Sequence, residues 1–403
     1  MRKQIEGSQA IAQTIAACRP NVICAYPISP QTHIVEALDD LVRRGQIPEC
    51  EYVNVESEFS AMSVAIGASA TGARVYTATA SQGLLFMAEA VYNAAGLGFP
   101  IIMTVANRAI GSPINIWNDH SDSLSQRDSG WIQLYAPDNQ AASDLHAIAY
   151  KLGEELSLPV MVCVDGFVLT HAVEPIDVPE PDQVARFLPA FTPRQVLDPA
   201  NPVSIGAMVG PEAFTEVRYE AHLRHLGVLE VLPRISDEFE EVFGRRAAGR
   251  SDVDGMVTAH RTEDAETIVV AMGATLGTLE ELVDQMRLDG ESVGALGITL
   301  YRPFPNETLH RQLRNAKRVI VLERALAVGV GGIVTADLRT ALRDLPLNLH
   351  TVVAGLGGRP ITTTSLRSMI RLASEGELPE FSFLDLDPHM VQEALEGKGV
   401  ARA

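Results

Sequence analysis

The sequence predicts an α/β protein made of two successive parallel-sheet units, and three observations predict it. Short apolar runs alternate with amphipathic helical patterns. The runs are apolar on both faces. A proline-rich interval separates one such series from a second. Alternation of this kind implies right-handed crossovers and a mainly parallel sheet. Two-sided apolar runs suit strands buried between layers of helix.

Taken in order, the N-terminal stretch MRKQIEGSQAIAQTIAACRP reads as a helix. Its apolar part is interrupted by Gln9 and Gln13, which argues against a secretory signal. The runs NVICAY, EYVNVE, RVYTAT, PIIMTVAN, WIQLYA and PVMVCVD then read as strands. Helical patterns lie between most of them, at 31–44, 57–71, 83–95 and 139–156. This places a first α/β domain over 1–174. Seven prolines fall between Pro175 and Pro202 with little periodicity, and a charged helical stretch follows to Arg246. The interval 175–262 is therefore expected to be an extended connector plus a helical segment. A second α/β domain is expected over 263–375, with strands TIVVAMG, SVGALGITL, KRVIVLE and LHTVVAG and helices at 276–287, 306–315 and 331–343. The remainder, 376–403, is expected to form a peripheral arm.

Composition narrows the function. The chain has 403 residues and a formal charge of −19, a surface that repels phosphate backbones and argues against nucleic acid as a partner. No stretch reaches the roughly 18 apolar residues of a membrane span, so a cytoplasmic protein without a membrane partner is expected. The four cysteines, Cys18, Cys24, Cys50 and Cys163, have neither zinc nor iron–sulfur spacing and read as reduced thiols.

In open parallel sheets, ligands bind where the carboxyl ends of strands meet helix N-termini. The residues that follow each strand of the first domain are therefore the candidates. They are Ser29 in YPISP, Glu58 in VESE, Ser81 and Gln82 in TASQG, and Arg108 in ANRAIG. Each carries two readings. Glu58 is either an ordinary helix-start acid or a carboxylate close to other protein with a hydrogen-bonding task. Arg108 is either half of an internal ion pair or a planar fork for a substrate carboxylate. Ser29 between Pro27 and Pro30 is either a helix cap or a rigidly held hydroxyl. His120 reads as an orderer of its loop. Absences matter as well. There is no P-loop, no dinucleotide fingerprint after the first strand and no serine elbow. The Gly-Asp-Gly metal–diphosphate motif is also missing, and VDGF at 164–167 resembles it only superficially.

The motifs YPISPQTHIVEAL, VESEFSA, TATASQGLLFMAEA, ANRAIGSPINIWNDHSDSLSQRDSGW, DGFVLTHAVEP, YRPFP and GLGGR occur in that order. With them the chain, from about residue 5 to 375, resembles the α subunit of the 2-oxoacid:ferredoxin oxidoreductases, most closely the pyruvate type with separate subunits. The resemblance implies a pyrimidine-type thiamine-diphosphate domain followed by a transketolase C-terminal-like domain. It implies oxidative decarboxylation of a 2-oxoacid with coenzyme A, electrons passing to ferredoxin. A β subunit would hold the diphosphate and its magnesium, further iron–sulfur clusters would sit on partner subunits, and the whole would be a hetero-oligomer of paired protomers. By position, Glu58 matches the glutamate that bonds N1′ of the aminopyrimidine, and Arg108 the arginine that binds the oxoacid carboxylate. Ser29 stands where the family has a substrate-contacting threonine, and the lost methyl leaves the preferred oxoacid side chain open. Pro27, Ile28, Ser81 and Gln82 are expected to line the cofactor. Branched-chain or aromatic oxoacids such as phenylglyoxylate, NAD as acceptor through a flavin subunit, and a non-catalytic scaffold are the alternatives.

Overall fold

The structure is a computed structural model that describes residues 2–249 and 251–397. Two seven-stranded sheets organise the described residues. In the first, the spatial order is Leu300–Arg302, Ile132–Tyr135, Val160–Asp165, Ile102–Asn107, Val75–Thr79, Val22–Ala25 and Glu51–Asn54. All neighbours are parallel except Leu300–Arg302, which runs antiparallel to Ile132–Tyr135. The second sheet runs Phe381–Phe383, Asn348–Val353, Arg318–Glu323, Thr267–Ala271, Val293–Ile298, Val257–His260 and Asp252–Val253. Its first five strands are parallel and the last two antiparallel.

The order of the first sheet decides where a ligand can sit. The chain goes from Val22–Ala25 outward to Glu51–Asn54, then returns to place Val75–Thr79 on the opposite side of Val22–Ala25. Such a reversal opens a crevice beyond the carboxyl ends of Val22–Ala25 and Val75–Thr79. These strands also part company early, with only Val22↔Val75 and Ile23↔Tyr76 in register. Parting leaves backbone carbonyls that need donors. The buried Gln31 supplies them, its Nε2 donating to Tyr26 O at 2.8 Å and to Ala78 O at 3.3 Å.

Helices form where the patterns placed them, with physical starts and stops. Glu58–Ala70 begins at Ser57, whose hydroxyl accepts the Ser60 N–H at 3.2 Å. Asn139–Leu156 begins at Asp138, which accepts the Ala141 N–H at 2.7 Å. Around the first sheet, Gly7–Ala17 packs on Thr32–Arg43 and Asn139–Leu156, and Glu58–Ala70 packs on Ala88–Leu97. The main apolar core passes from Ile11 through Val105 and Val162 to Val257, Val319 and Leu338, so both sheets share it.

Four local expectations change. The N-terminal stretch opens with a strand, Lys3–Glu6, antiparallel to Val173–Ile176; the helix follows as Gly7–Ala17. The helix expected at 83–95 is two, Ser81–Phe86 and Ala88–Leu97, broken at Met87. The run SVGALGITL is split, Val293–Ile298 in the second sheet and Leu300–Arg302 in the first. Thr299 makes the crossing, its N–H donating to Met256 O and its carbonyl accepting the Tyr135 N–H at 2.7 Å. Within the expected arm, Phe381–Phe383 pairs with Asn348–Val353 as an edge strand, and the helix Pro388–Leu395 has no buried residue.

Candidate functional site at the carboxyl edge of the first sheet

Ser29, Glu58, Ser81, Gln82 and Arg108, the candidates that follow the strands, lie on one rim. The turn after Val22–Ala25 carries Pro27, Ile28, Ser29 and Pro30, with Pro27 and Ser29 exposed, Ile28 half-buried and Pro30 buried. Ser29 is not a helix cap. The next helix starts at Thr32 after Gln31, and among the described residues the Ser29 hydroxyl has no hydrogen bond. The turn is held from beneath instead. The Gln31 N–H donates to Ile28 O at 2.9 Å. Gly166 lies so close that a Cβ there would meet Pro30 Cγ at 2.5 Å and Asn107 O at 2.4 Å. The VDGF glycine thus serves close packing of the Ser29–Pro30 turn.

Arg108 follows Ile102–Asn107 and is buried. Its NH1 donates to Ser29 O at 3.0 Å and its Nε to Asn115 O at 3.4 Å. No carboxylate among the described residues pairs with this guanidinium, so the ion-pair reading falls. Burial lowers its pKa from the ordinary arginine value, and Asp122 opposes that shift. The nearest acid, Asp122, is engaged otherwise. Its Oδ2 accepts the Arg108 N–H at 3.0 Å and the Ser81 N–H at 2.9 Å. Its Oδ1 accepts Asn107 Nδ2 at 2.7 Å and the Ser123 N–H at 2.8 Å. Burial pushes the Asp122 carboxyl up to about 7, against the pull of these four N–H donors.

Ser81 opens its helix with φ +48°, a left-handed conformation uncommon outside glycine. Its hydroxyl donates to Ala109 O at 2.6 Å and also touches the Gln82 side-chain amide. Gln82 Nε2 donates to Gly111 O at 3.3 Å. Both side chains therefore tie the helix start to the loop after Arg108.

Glu58 is 8 % exposed and forms no hydrogen bond or ion pair among the described residues. It lies over Gly83, where a Cβ would fall 2.6 Å from Glu58 Oε1 and 2.6 Å from Thr79 Oγ1. The Thr79 hydroxyl is itself buried without a partner. The Glu58 side chain is mostly covered and the Thr79 hydroxyl fully so, and a buried hydroxyl without a partner is costly. Such a pair marks a place where an incoming group supplies the missing hydrogen bonds. Beyond Glu58, the helix turns an uncharged stripe of Phe59, Ser63 and Gly67 to solvent.

A second anchor joins the two sheets behind the rim. Asp165 Oδ1 contacts His120 Nε2 at 2.8 Å, and Oδ2 accepts the Ala274 N–H at 2.9 Å and a guanidinium N–H of Arg324. Burial alone would raise this carboxyl, yet Arg324 and His120 hold it well below the usual carboxylate range. The His120 N–H donates to Arg324 O at 2.8 Å. His120 therefore orders its loop, as expected. Gln31, Gly83, Asp122 and Arg324 were not singled out from sequence. Asp122 lay inside a quoted stretch, and a carboxylate two residues beyond a loop histidine gave no signal of its own.

Comparisons with known proteins bear on this rim. Residues 13–231 match the family model described as pyruvate flavodoxin/ferredoxin oxidoreductase, thiamine diP-binding. Residues 265–366 match pyruvate:ferredoxin oxidoreductase core domain II. The chain belongs to the pyruvate:ferredoxin oxidoreductase family. It is 44% identical over 96% of its length to the pyruvate synthase subunit PorA of Methanosarcina barkeri, covering 97% of that protein. It is 37% identical over 92% of its length to the ketoisovalerate oxidoreductase subunit VorA of Pyrococcus horikoshii, covering 93%. A 2-oxoglutarate:ferredoxin oxidoreductase from Magnetococcus marinus superposes with TM-score 0.70 at 19% identity, over 94% of this chain and 65% of that one. A split-gene transketolase superposes with TM-score 0.52 at 14% identity, over 87% of this chain and 90% of that one. The family is one of oxidoreductases acting on 2-oxoacids. The two superpositions bear out the expected fold class, a thiamine-type α/β unit followed by a transketolase-like one. No helix among the described residues is long and apolar enough to cross a membrane.

Proposed function

We propose that this chain is the pyrimidine-binding subunit of an enzyme that oxidatively decarboxylates a 2-oxoacid, pyruvate foremost. The co-substrate is coenzyme A, and two electrons pass to ferredoxin through iron–sulfur clusters on partner chains. The products are acyl-CoA and carbon dioxide. The observation that carries the reading is the Glu58 carboxylate over Gly83, without a hydrogen bond among the described residues, on the same rim as the Arg108 guanidinium, which meets no carboxylate among them.

The residues present fit the aminopyrimidine end of thiamine diphosphate. Glu58 offers a carboxylate that makes no hydrogen bond among the described residues, Thr79 a buried hydroxyl without a partner, and Gly83 leaves the space a Cβ would fill. Pro27, Ile28, Ser81 and Gln82, which follow strands on the same edge, would line the rest of the cofactor's pyrimidine end. Bound thiamine diphosphate supplies the electron sink that decarboxylation needs. Glu58 then holds and moves a proton at N1′ of the aminopyrimidine. Arg108, carrying N–H groups that face no carboxylate, grips the oxoacid carboxylate in a planar fork. Ser29 offers its free hydroxyl from a turn fixed by Pro30, Gly166 and Gln31, so little orientation is left to lose on binding. The diphosphate and its magnesium fall to a β subunit, since the matching motif is absent from this sequence. The exposed, uncharged stripe of Phe59, Ser63 and Gly67 supports a neighbouring chain seated on this edge.

A second reading has a branched-chain 2-oxoacid as substrate. The similarity to a ketoisovalerate oxidoreductase subunit over nearly the whole chain favours it, as does the room left by serine at position 29. Initial rates of the assembled complex with pyruvate, 2-oxoisovalerate and phenylglyoxylate decide between them. The function itself is tested by Glu58→Gln in that complex. Loss of most turnover with assembly intact is expected, and near-normal turnover removes Glu58 from the mechanism.

A further inference from the structure

Asp122 lies at the centre of the rim and faces neither the crevice nor solvent; it is 0% exposed. One carboxylate oxygen takes the backbone N–H groups of Ser81 and Arg108, which lie just past the ends of two adjacent strands. The other takes Asn107 Nδ2 and the Ser123 N–H. No cation pairs with it among the described residues. A buried carboxylate without a cation is expensive and persists only when donors satisfy it fully. Four donors do so here, and two of them belong to residues that open the two sides of the site. Ser81 leads through its helix to Gly83 and Glu58, and Arg108 leads to Ser29. We propose that Asp122 is a positioning residue: by fixing the backbone of Arg108 and Ser81 it sets the reach of the guanidinium toward the oxoacid carboxylate. The inference rests on the reading of Arg108 as the carboxylate-binding group.

The geometry also says what each substitution does. Alanine at 122 strands all four donors. Asparagine keeps one acceptor, and its oxygen can serve the Ser81 and Arg108 N–H pair. Its amide nitrogen would then face Asn107, whose own Oδ1 is buried without a partner and can rotate to receive it, leaving only the Ser123 N–H without an acceptor. Asparagine should therefore rescue most of what alanine loses, an outcome that loss of charge alone would not give.

The test uses the assembled complex and five variants: Asp122→Ala, Asp122→Asn, Arg108→Ala and the doubles Asp122→Ala/Arg108→Ala and Asp122→Asn/Arg108→Ala. KM for the oxoacid and KM for coenzyme A are measured for each. Misplacing a binding group by a fraction of an ångström costs on the order of tenfold. Asp122→Ala is therefore expected to raise the oxoacid KM about tenfold with the coenzyme A KM little changed, Asp122→Asn only about twofold. In the Arg108→Ala background, removing Asp122 adds nothing further to the oxoacid KM. Independent, multiplying effects in the double variant overturn the proposal, and so does an unchanged oxoacid KM in Asp122→Ala. Should Asp122→Ala not assemble, the Asn variant carries the test: its smaller rise must vanish in the Arg108→Ala background, and persistence overturns the proposal. An unchanged KM in Arg108→Ala alone strikes the reading of Arg108 instead, which separates the two failures.

Discussion

Alanine at position 83 would set a methyl 2.6 Å from both Glu58 Oε1 and Thr79 Oγ1, where ordinary Cβ contacts begin at 3.4 Å. The carboxylate must therefore retreat by about 0.8 Å. Two effects oppose each other. Within the helix Ser81–Phe86, alanine is favoured over glycine by about 1 kcal/mol. Against this stands the clash, but both struck atoms are ends of side chains that can swing away. The fold should survive and the site should not. A displacement near 1 Å of a group that handles a proton costs up to about a hundredfold in rate. Gly83→Ala is thus expected to lower kcat between about tenfold and a hundredfold, with the oxoacid KM little changed, since Arg108 and Ser29 are untouched. The assay is pyruvate-dependent reduction of ferredoxin by the assembled complex, with thermal unfolding measured alongside. A Gly83→Ala complex that turns over at the wild-type rate would refute the placement of Glu58 over this glycine as the working geometry.

Arg108→Ala should raise the oxoacid KM by more than tenfold, as expected for loss of a charge-assisted bidentate contact; unchanged saturation would make Arg108 structural. Ser29→Thr restores one methyl at the turn and should shift kcat/KM toward pyruvate over 2-oxoisovalerate by roughly tenfold, read from competing initial rates. Asp165→Asn leaves the Arg324 guanidinium buried without its carboxylate and should cost about 3–5 kcal/mol in urea unfolding. The Asp165 carboxyl is depressed in the folded chain. Its contribution is therefore complete above the ordinary carboxylate range near pH 4 and is lost as pH falls through the lower folded value. The gap between wild type and Asp165→Asn should accordingly close only below about pH 4, and a gap that closes between pH 7 and 5 would contradict the assignment.

How much of this was legible in the sequence follows from where each signal resides. Glu58, Arg108 and Ser29 could be found because strand ends are readable from apolar runs, and parallel topology puts those ends on one edge. Local reading also found most strands of both sheets and most helices. It failed where the deciding partner is remote. Lys3–Glu6 is a strand only because Val173–Ile176 lies beside it. Asp165 and Arg324, which lock the sheets together, stand 159 residues apart. The run SVGALGITL looks like one strand, since nothing local says that Thr299 passes from one sheet to the other. Gln31 reads as an ordinary polar residue before a helix, and its bridging task exists only because two strands diverge above it. The helix Glu58–Ala70 is instructive in the other direction. Its sequence has the uncharged character of a helix buried all round, while Phe59, Ser63 and Gly67 lie open in this chain.

The most direct test is a density map of the assembled complex with thiamine diphosphate bound. The account predicts the aminopyrimidine N1′ within hydrogen-bond distance of Glu58, beside Gly83, with the diphosphate and its magnesium held by a neighbouring chain. A cofactor enclosed wholly by other chains, or remote from Glu58, would contradict it.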